Sequence, residues 1–587
     1  MSIDLRRARN RQMIIFLLVC CGMVTLLARL YYWQILRGQQ LARYASEEHL
    51  QNQVLNAPRG VIYDAHGHLL ATNVVRDDVY VEPVQFATDH QYSENRESEL
   101  ALLIHMLHEV LPEVSEDKLY RIFNTNLQTY RIAGPISPQQ SQQLHQLHVQ
   151  DVFLEPHPVR IYPGGDLAAQ VLGYVTFDGK GLYGIEGQYD ALLAGKPGNF
   201  TAETDLNGNP LTVGVSSGQP ALNGANLTLT VDSNVQYMVQ EALADMVKRV
   251  QASSGTVIVM DAHSGAIVAM AGVPSFDPNR YWAYSDQMGC LGDESVYFNP
   301  ALYCAYEPGS TMKAVTMAAA LDQGLITPNT TLNDPGYINF HDGTPTVTNW
   351  SREAYGTETM TQVLEHSANV GAAYVAYNIL GPQRYYPYLE RFGFAQISQI
   401  AGPEATGSYR SNTSSGWTPS DLARQAFGQS ILATPLQMAL AYQTIANGGV
   451  MMRPYIVAVV NDNGRVMTTQ PQVKQRVISA ETARLLTDML VSAANYNKQA
   501  TFPGYSVAVK TGTATTQGLP IDQTEASMAG FVPASNPRFV ILVKIDRPQT
   551  TIYGSTAAGP LWKSIAQQLM FYYKVPPDVP SSLASTN

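Results

Sequence analysis

In the stretch YEPGSTMKAVTMAAALDQG, residues 306–324, a serine and a lysine stand three residues apart where a polar run gives way to an apolar one. Pro308-Gly309 precede the serine and a helical pattern follows it, so Lys313 falls one turn beyond Ser310 on the same face. That spacing brings the serine hydroxyl within reach of the amine and sets the Ser310 backbone N–H at the positive end of a helix. A serine is a weak nucleophile until a neighbour takes its proton. Lysine can do so only as a neutral amine, which requires apolar surroundings or a second cation close by. The run AVTMAAAL supplies the first condition, and the second cation has to come from elsewhere.

The pair alone is weak evidence, because Ser-x-x-Lys arises by chance in a chain of this length. Ser115-Glu116-Asp117-Lys118 is a decoy, with two carboxylates that favour the charged lysine. Ser-x-Asn is equally cheap and occurs at Ser93-Glu94-Asn95, Ser367-Ala368-Asn369 and Ser585-Thr586-Asn587. Lys510-Thr511-Gly512 occurs once, in GYSVAVKTGTATT, at the end of an alternating strand. There Lys510 offers a cation to a carboxylate, Gly512 admits a ligand backbone to the strand edge, and the Thr511 and Thr513 hydroxyls add donors. The plain alternative for Lys510 is an edge-strand lysine that discourages aggregation. What carries weight is order: Ser310/Lys313, then Ser367/Asn369, then Lys510-Thr511-Gly512, all beyond Asp232.

These residues need a scaffold, and 587 residues are too many for one hydrophobic core. With 14% charged and 45% hydrophobic residues the chain has the composition of a folded protein. Its net charge of -11 argues against nucleic acid as a partner. Arg6, Arg7, Arg9 and Arg11 precede the uncharged run 13–28, and Tyr31-Tyr32-Trp33 forms an aromatic belt. This reads as an uncleaved anchor over 13–36 after a cytoplasmic tail 1–12, with the rest of the chain outside the membrane. No small-x-small cleavage site follows the run. Residues 39–53 read as polar and helix-compatible, and 93–147 as helical with polar interruptions.

From Asp232 the pattern runs helix, hairpin around 261–265, a mainly helical middle, strands and a closing helix, which is an α+β sheet flanked by helices. The last residues, 576–587, read as a disordered tail. Cys290 and Cys304 sit in a disulfide-permissive compartment and are either bridged or two free buried thiols. A bridge would close a loop of about fifteen residues and contribute on the order of 3 kcal/mol. No Cys/His spacing suggests a metal.

The ordered trio is the serine acyl-transferase signature of penicillin-binding proteins and serine β-lactamases. APRGVIYDAHGHLLATN, RIYPGGDLAAQVLGYV, YGIEGQYDALLAGKPG, GTVIVMDAHSGAIVAMAGVPSFDPN, EPGSTMK, FGQSILATPLQMALAYQTIANGG and AGFVPASNPRFVILV resemble class B penicillin-binding proteins, from about Arg59 to Trp562. The similarity is nearest the division-associated, FtsI-like type. Ala65-His66 departs from the usual pair after the aspartate, in the platform and not at the site, and the Cys290 to Cys304 segment is a second departure, one that would alter the entry to the cleft.

The resemblance implies a penicillin-binding/transpeptidase fold over 232–575, with a mainly helical subdomain, on an N-terminal platform domain over 37–231 and one transmembrane helix. It also implies a D,D-transpeptidase of septal peptidoglycan. Ser310 would attack the donor D-Ala-D-Ala bond, and Lys313 would act as base. Ser367 and Asn369 would relay protons and hold the substrate amide, while Lys510, Thr511, Gly512 and Thr513 would bind the terminal carboxylate. The backbone N–H groups of Ser310 and Thr513 would form the oxyanion hole. β-Lactams would trap Ser310, no cofactor is implied, and the expected partners are a SEDS-family glycan polymerase and other divisome membrane proteins. A role in elongation or spore-wall synthesis, a D,D-carboxypeptidase, a β-lactamase, and a β-lactam sensor or inactive scaffold are the alternatives.

Overall fold

The computed structural model describes residues 2–41, 50–147, 149, 151–203, 216–290, 294–340, 346–498, 500–515 and 523–579. The chain divides into two compact units, residues 1–58 with 195–223, and residues 59–194 with 224–587.

In the first unit a helix occupies Ser2–Tyr31 and helical turns continue to Leu36. The residues read as a cytoplasmic tail are helical too from Ser2 on, because nothing between Ile3 and Met13 breaks a helix. The segment Arg7–Leu36 is long and apolar enough to cross a membrane. The same unit holds an antiparallel sheet of Leu50–Leu55, Gly198–Glu203 and Ser216–Gln219. The helix-compatible reading of 39–53 thus fails at 50–53, where pairing with a distant strand overrides local propensity.

The second unit starts with a sheet that the sequence order hides. Strands Ile62–Tyr63, Leu69–Val81, Tyr130–Ala133, Val152–Ile161 and Asn226–Leu229 are extended by Val457–Asp462 and Arg465–Thr468, from well beyond Asp232. The expected boundary at 231/232 is thus crossed by a hairpin that returns to the platform. The helical reading of 93–147 is broken by the strand Tyr130–Ala133, which pairs with Val79–Val81. Inside the platform, the buried Glu186 accepts from Arg160 Nε at 2.7 Å and from Arg59 Nε at 2.8 Å. His66, one of the two departures noted above, is not confined to the platform. Its Nε2 lies 3.0 Å from Asp232, which caps the next helix and accepts from Tyr573 at 2.9 Å.

That helix, α1 (Ser233–Arg249), opens the part of the unit that follows the platform. A five-stranded antiparallel sheet follows: β1 (Ser254–Asp261), β2 (Ile267–Val273), β3 (Ala508–Thr515), β4 (Thr524–Val532) and β5 (Phe539–Asp546), in the order β2-β1-β5-β4-β3. One face carries Val257, Val259, Met528, Ile541 and Val543 against α1 and the closing helix Gly559–Tyr572, including the buried Trp562. The other carries Ile258, Met260, Phe531 and Leu542 against the helical subdomain. Both faces are covered, so the strands read as nearly continuous apolar runs. At the centre lie α2 (Lys313–Asp322) and α3 (Pro435–Ala446), and all twelve residues of α3 are buried. A helix apolar all round belongs in a core.

Cys290 and Cys304 form a disulfide with a sequence separation of 14 and a Cα–Cα distance of 6.2 Å. Replacing both with serine is expected to cost about 3 kcal/mol through the freed loop, read as a lower Tm that reductant no longer changes. The tail is ordered further than expected: Asp578 accepts from Ser506 N at 2.8 Å and from Ser535 Oγ at 2.7 Å. Residues 580–587 of that tail, with the Ser585/Asn587 pair, lie outside the described residues.

Candidate active site

Ser310 sits in a tight turn, Gly309–Met312, that feeds directly into α2. Three contacts fix this turn. Gly309 N donates to Gly428 O at 3.0 Å, Thr311 Oγ1 donates to Pro308 O at 2.7 Å, and Tyr442 on α3 donates to Thr311 O at 3.0 Å. Upstream, Tyr306 and Ala433 exchange backbone hydrogen bonds of 3.0 and 2.9 Å. Ser310 remains half-buried, whereas Lys313 and the eight residues after it are buried.

Lys313 Nζ lies 3.0 Å from Ser310 Oγ, 2.8 Å from Asn369 Oδ1 and 3.3 Å from Ser367 Oγ, and it also contacts Ser367 O. Ser367 occupies the corner between helices Met360–Glu365 and Asn369–Tyr374 with φ +56°, a left-handed conformation that costs a non-glycine residue energy. The corner turns both its carbonyl and its hydroxyl toward the lysines. Lys510, on the face of β3 that looks into the helical subdomain, places Nζ 2.9 Å from Ser367 Oγ. Ser367 Oγ therefore bridges two buried amines.

The electrostatics follow from this packing. Burial pushes the Lys313 ammonium well below its ordinary range, the Lys510 charge pushes it further, and Glu358 and Asp334 oppose. Lys510 is thus the second cation that the sequence left unlocated. Burial pushes Lys510 itself down to about 7.

Gly512 is required sterically, since a Cβ there would lie 2.3 Å from Ser527 Oγ and 2.6 Å from Pro308 O. A Cβ on Gly309 would lie about 3.0 Å from the Thr513 backbone, so the residue before Ser310 packs against the Thr513 peptide. Thr513 Oγ1 accepts from Gly554 N at 3.0 Å, which braces the strand end, and Thr511 is half-buried beside it. Of the eight residues singled out by type and spacing, Ser310, Lys313, Ser367, Asn369 and Lys510 share one hydrogen-bonded cluster, and Thr511, Gly512 and Thr513 continue the strand beside the Ser310 turn. The decoys do not join them: Ser115 caps the helix Glu116–Phe123, and Ser93 donates to Glu99 at 3.1 Å.

Several side chains of the site carried no signal in the sequence. Asn369 Nδ2 donates to Thr348 O at 3.1 Å, and Asn349 accepts from Val370 N at 3.0 Å while donating to Asp334 at 2.8 Å. Glu358 is buried, 3.0 Å from His366 Nδ1, and is pushed up to about 7, chiefly by burial. These positions belong to no short motif and meet the site only through tertiary packing. Among the described residues no group of three His, Cys, Asp or Glu side chains is arranged to hold a metal.

Gly428 has φ +79°, and a Cβ there would lie 2.2 Å from Gly309 O. Gly428→Ala is expected to shift the serine turn and slow nucleophilic attack by Ser310 Oγ by about a hundredfold, as for a 1 Å misplacement of a reacting group. Stopped-flow kinetics with a serine-directed acylating probe would measure it.

Residues 255–570 match the penicillin binding protein transpeptidase domain, and residues 54–229 the penicillin-binding protein dimerisation domain. The chain is 34% identical over 457 residues to penicillin-binding protein PbpB of Mycolicibacterium smegmatis, covering 74% of this chain and 69% of that one. It is 29% identical over 603 residues to the peptidoglycan D,D-transpeptidase FtsI homolog of Mesostigma viride, covering 97% of each. Its fold is similar to penicillin binding protein 3 of Mycobacterium tuberculosis complexed with aztreonam, with a TM-score of 0.66 and 28% identity over 90% of this chain and 99% of that one. With the serine-lysine cluster inside the one matched domain and most of the platform sheet inside the other, the chain belongs to the class B penicillin-binding proteins, of the FtsI type.

Proposed function

We propose that the protein is a membrane-anchored peptidoglycan D,D-transpeptidase of septal wall synthesis, working through an acyl-enzyme on Ser310 and blocked covalently by β-lactams. The observation that carries this reading is the environment of Lys313 Nζ. A neutral amine has two N–H donors and one lone pair. Ser367 O and Asn369 Oδ1 take the donors, and the lone pair faces Ser310 Oγ at 3.0 Å. The remaining ligand of the nitrogen is then the serine proton, which is the arrangement a general base needs.

In the first half-reaction Ser310 Oγ attacks the carbonyl carbon between the last two D-alanines as its proton passes to Lys313. The oxyanion meets the Ser310 and Thr513 N–H groups; one such donor typically contributes about 2.7 to 4 kcal/mol. The C–N bond breaks and the D-alanine amine leaves with a proton relayed through Ser367, which lies within reach of both lysines. Lys510, with Thr511 and Gly512, holds the terminal carboxylate, and Asn369 the substrate amide. In the second half-reaction a stem-peptide amine attacks the ester carbonyl and gives its proton to Lys313, the C–O bond to Ser310 breaks, and Lys313 returns the proton to Ser310 Oγ.

The apolar N-terminal helix supports a single-pass anchor, and the arginines before it favour a cytoplasmic N-terminus. A SEDS-family glycan polymerase and other divisome membrane proteins are the partners this function calls for.

The test is labelling of the full chain in detergent with fluorescent penicillin, followed by peptide mapping, with Ser115→Ala as control. The adduct is expected on the peptide that carries Ser310, in wild type and control alike. An adduct elsewhere, or none on folded protein, would overturn the proposal.

A further inference from the structure

Outside the catalytic cleft, a cavity of about 450 Å³ opens between the segment after Gly393, the start of α3, and residues 453–474. Its volume is in the range of small-ligand sites. Arg453 and Lys474 both line it, and among the described residues neither forms an ion pair. Lys474 Nζ has only a neutral partner, Gln396 Oε1 at 3.0 Å. Burial, and next the Arg453 charge, push the Lys474 ammonium below its ordinary value, so the exposed Arg453 acts on it as a second cation of the same wall. The carboxylate in the wall is spent: Glu404 accepts from Ile400 N at 2.8 Å and from Ser398 Oγ at 3.0 Å. Gln470 and Gln472 complete that side with amide groups.

We infer that this cavity is a second, non-catalytic site for a carboxylate-bearing peptide, held by Arg453 and Lys474 at its carboxylate and by glutamine amides along its backbone. Guanidinium and carboxylate match bidentately, and an anion between two cations relieves their repulsion. Taking that peptide to be a segment of wall stem peptide rests on the function proposed above. The position gives the site a route to the chemistry. Leu302 and Thr434 line the cavity, and they flank the Tyr306–Ala433 backbone pair that leads into Ser310.

Calorimetry with the full chain in detergent and a synthetic tripeptide, L-Ala-γ-D-Glu-L-Lys, which lacks D-Ala-D-Ala, tests this. Saturable binding is expected, unchanged once penicillin has fully acylated the protein. It should weaken at least tenfold in the Arg453→Gln/Lys474→Gln double variant, and equally when the carboxyls of the wild-type ligand are amidated. Normal penicillin labelling of the double variant reports its folding, and the amidated ligand tests the proposal without any variant. No binding, loss of binding on acylation, or indifference to both the charge removals would overturn it. Displacement by pyrophosphate at a lower concentration than the peptide would also overturn it, in favour of a phosphate site. Failure of the transpeptidase reading would show separately, as wild-type protein that penicillin does not label.

Discussion

Lys313→Met is expected to slow acylation of Ser310 by penicillin at least about a thousandfold while the protein stays folded, within the range general-base catalysis contributes. Methionine fills the same buried volume, so packing of α2 is kept. What goes is the acceptor for the serine proton, 3.0 Å from Oγ, and the donor to Asn369 and to the Ser367 carbonyl. The pH dependence separates the two lysines. As the proposed base Lys313 acts deprotonated, so acylation is expected to rise as pH passes its lowered pKa. Lys510 contributes part of that lowering, and Lys510→Ala should therefore raise the Lys313 pKa and move the ascending limb to higher pH. In the proposed mechanism Lys510 acts protonated on the substrate carboxylate, and burial has brought it down to about 7. In the free enzyme kcat/KM should accordingly fall as pH rises above about 7, and this descending limb should disappear in Lys510→Ala, at a lower overall rate. Second-order acylation rates between pH 5 and 10 would show both limbs. An ascending limb that stays in place in Lys510→Ala would remove the electrostatic link between the lysines.

The parts of this site that were legible in the chain are those set by local geometry. Ser310 and Lys313 are joined by one helical turn, and Lys510 and Gly512 by the period of a strand, so residue type and spacing suffice. The two conditions for a neutral lysine could be stated in advance, but only the apolar run could be located. The second cation comes from β3, about two hundred residues later, and reaches Lys313 because β3 is the edge strand beside the Ser310 turn. Glu358, Asn349 and Asp334 were illegible for the same reason, and so was Gly428, whose role appears only once its backbone is seen against Gly309. In the fold, α1, the β1-β2 hairpin, β5 and the closing helix follow their sequence patterns. The misreadings at Tyr130–Ala133 and at residues 50–53 are strands whose partners lie far away in sequence. Pairing at long range selects strand where local propensity is indifferent. The same holds for Val457–Thr468, which contribute to the platform sheet from within the catalytic half of the chain.

Asp546→Ala is expected to destabilise the protein by about 3–5 kcal/mol, the cost of leaving one partner of a buried ion pair alone. Lys544 and Asp546 are two apart on β5, fully buried and paired on the sheet face that also carries Lys510 and Gly512. Asp546 also accepts from Ser254 at 2.6 Å, and Glu525 stands directly opposite it on β4. Without Asp546, the Lys544 ammonium keeps the ring of Tyr306, 5.0 Å from Nζ, and the longer-range attraction of Glu525. Burial, followed by Asp546 and Glu307, holds Glu525 up at about 7 against the pull of Lys544. Removing Asp546 lets the Glu525 pKa fall, so Glu525 ionises and partly takes over as the partner of Lys544. The loss in stability should therefore be smaller at high pH than at low pH, and adding Glu525→Gln should abolish that difference. For a domain of this size the drop corresponds to a Tm lower by on the order of 10 °C, read by thermal unfolding at several pH values. Lys544→Met combined with Asp546→Leu should recover most of it, because well-packed apolar residues replace a buried pair at little cost. A single Asp546→Ala variant as stable as wild type would mean that Lys544 reaches water, and that the sheet face beneath Tyr306 and Ser310 is open rather than sealed.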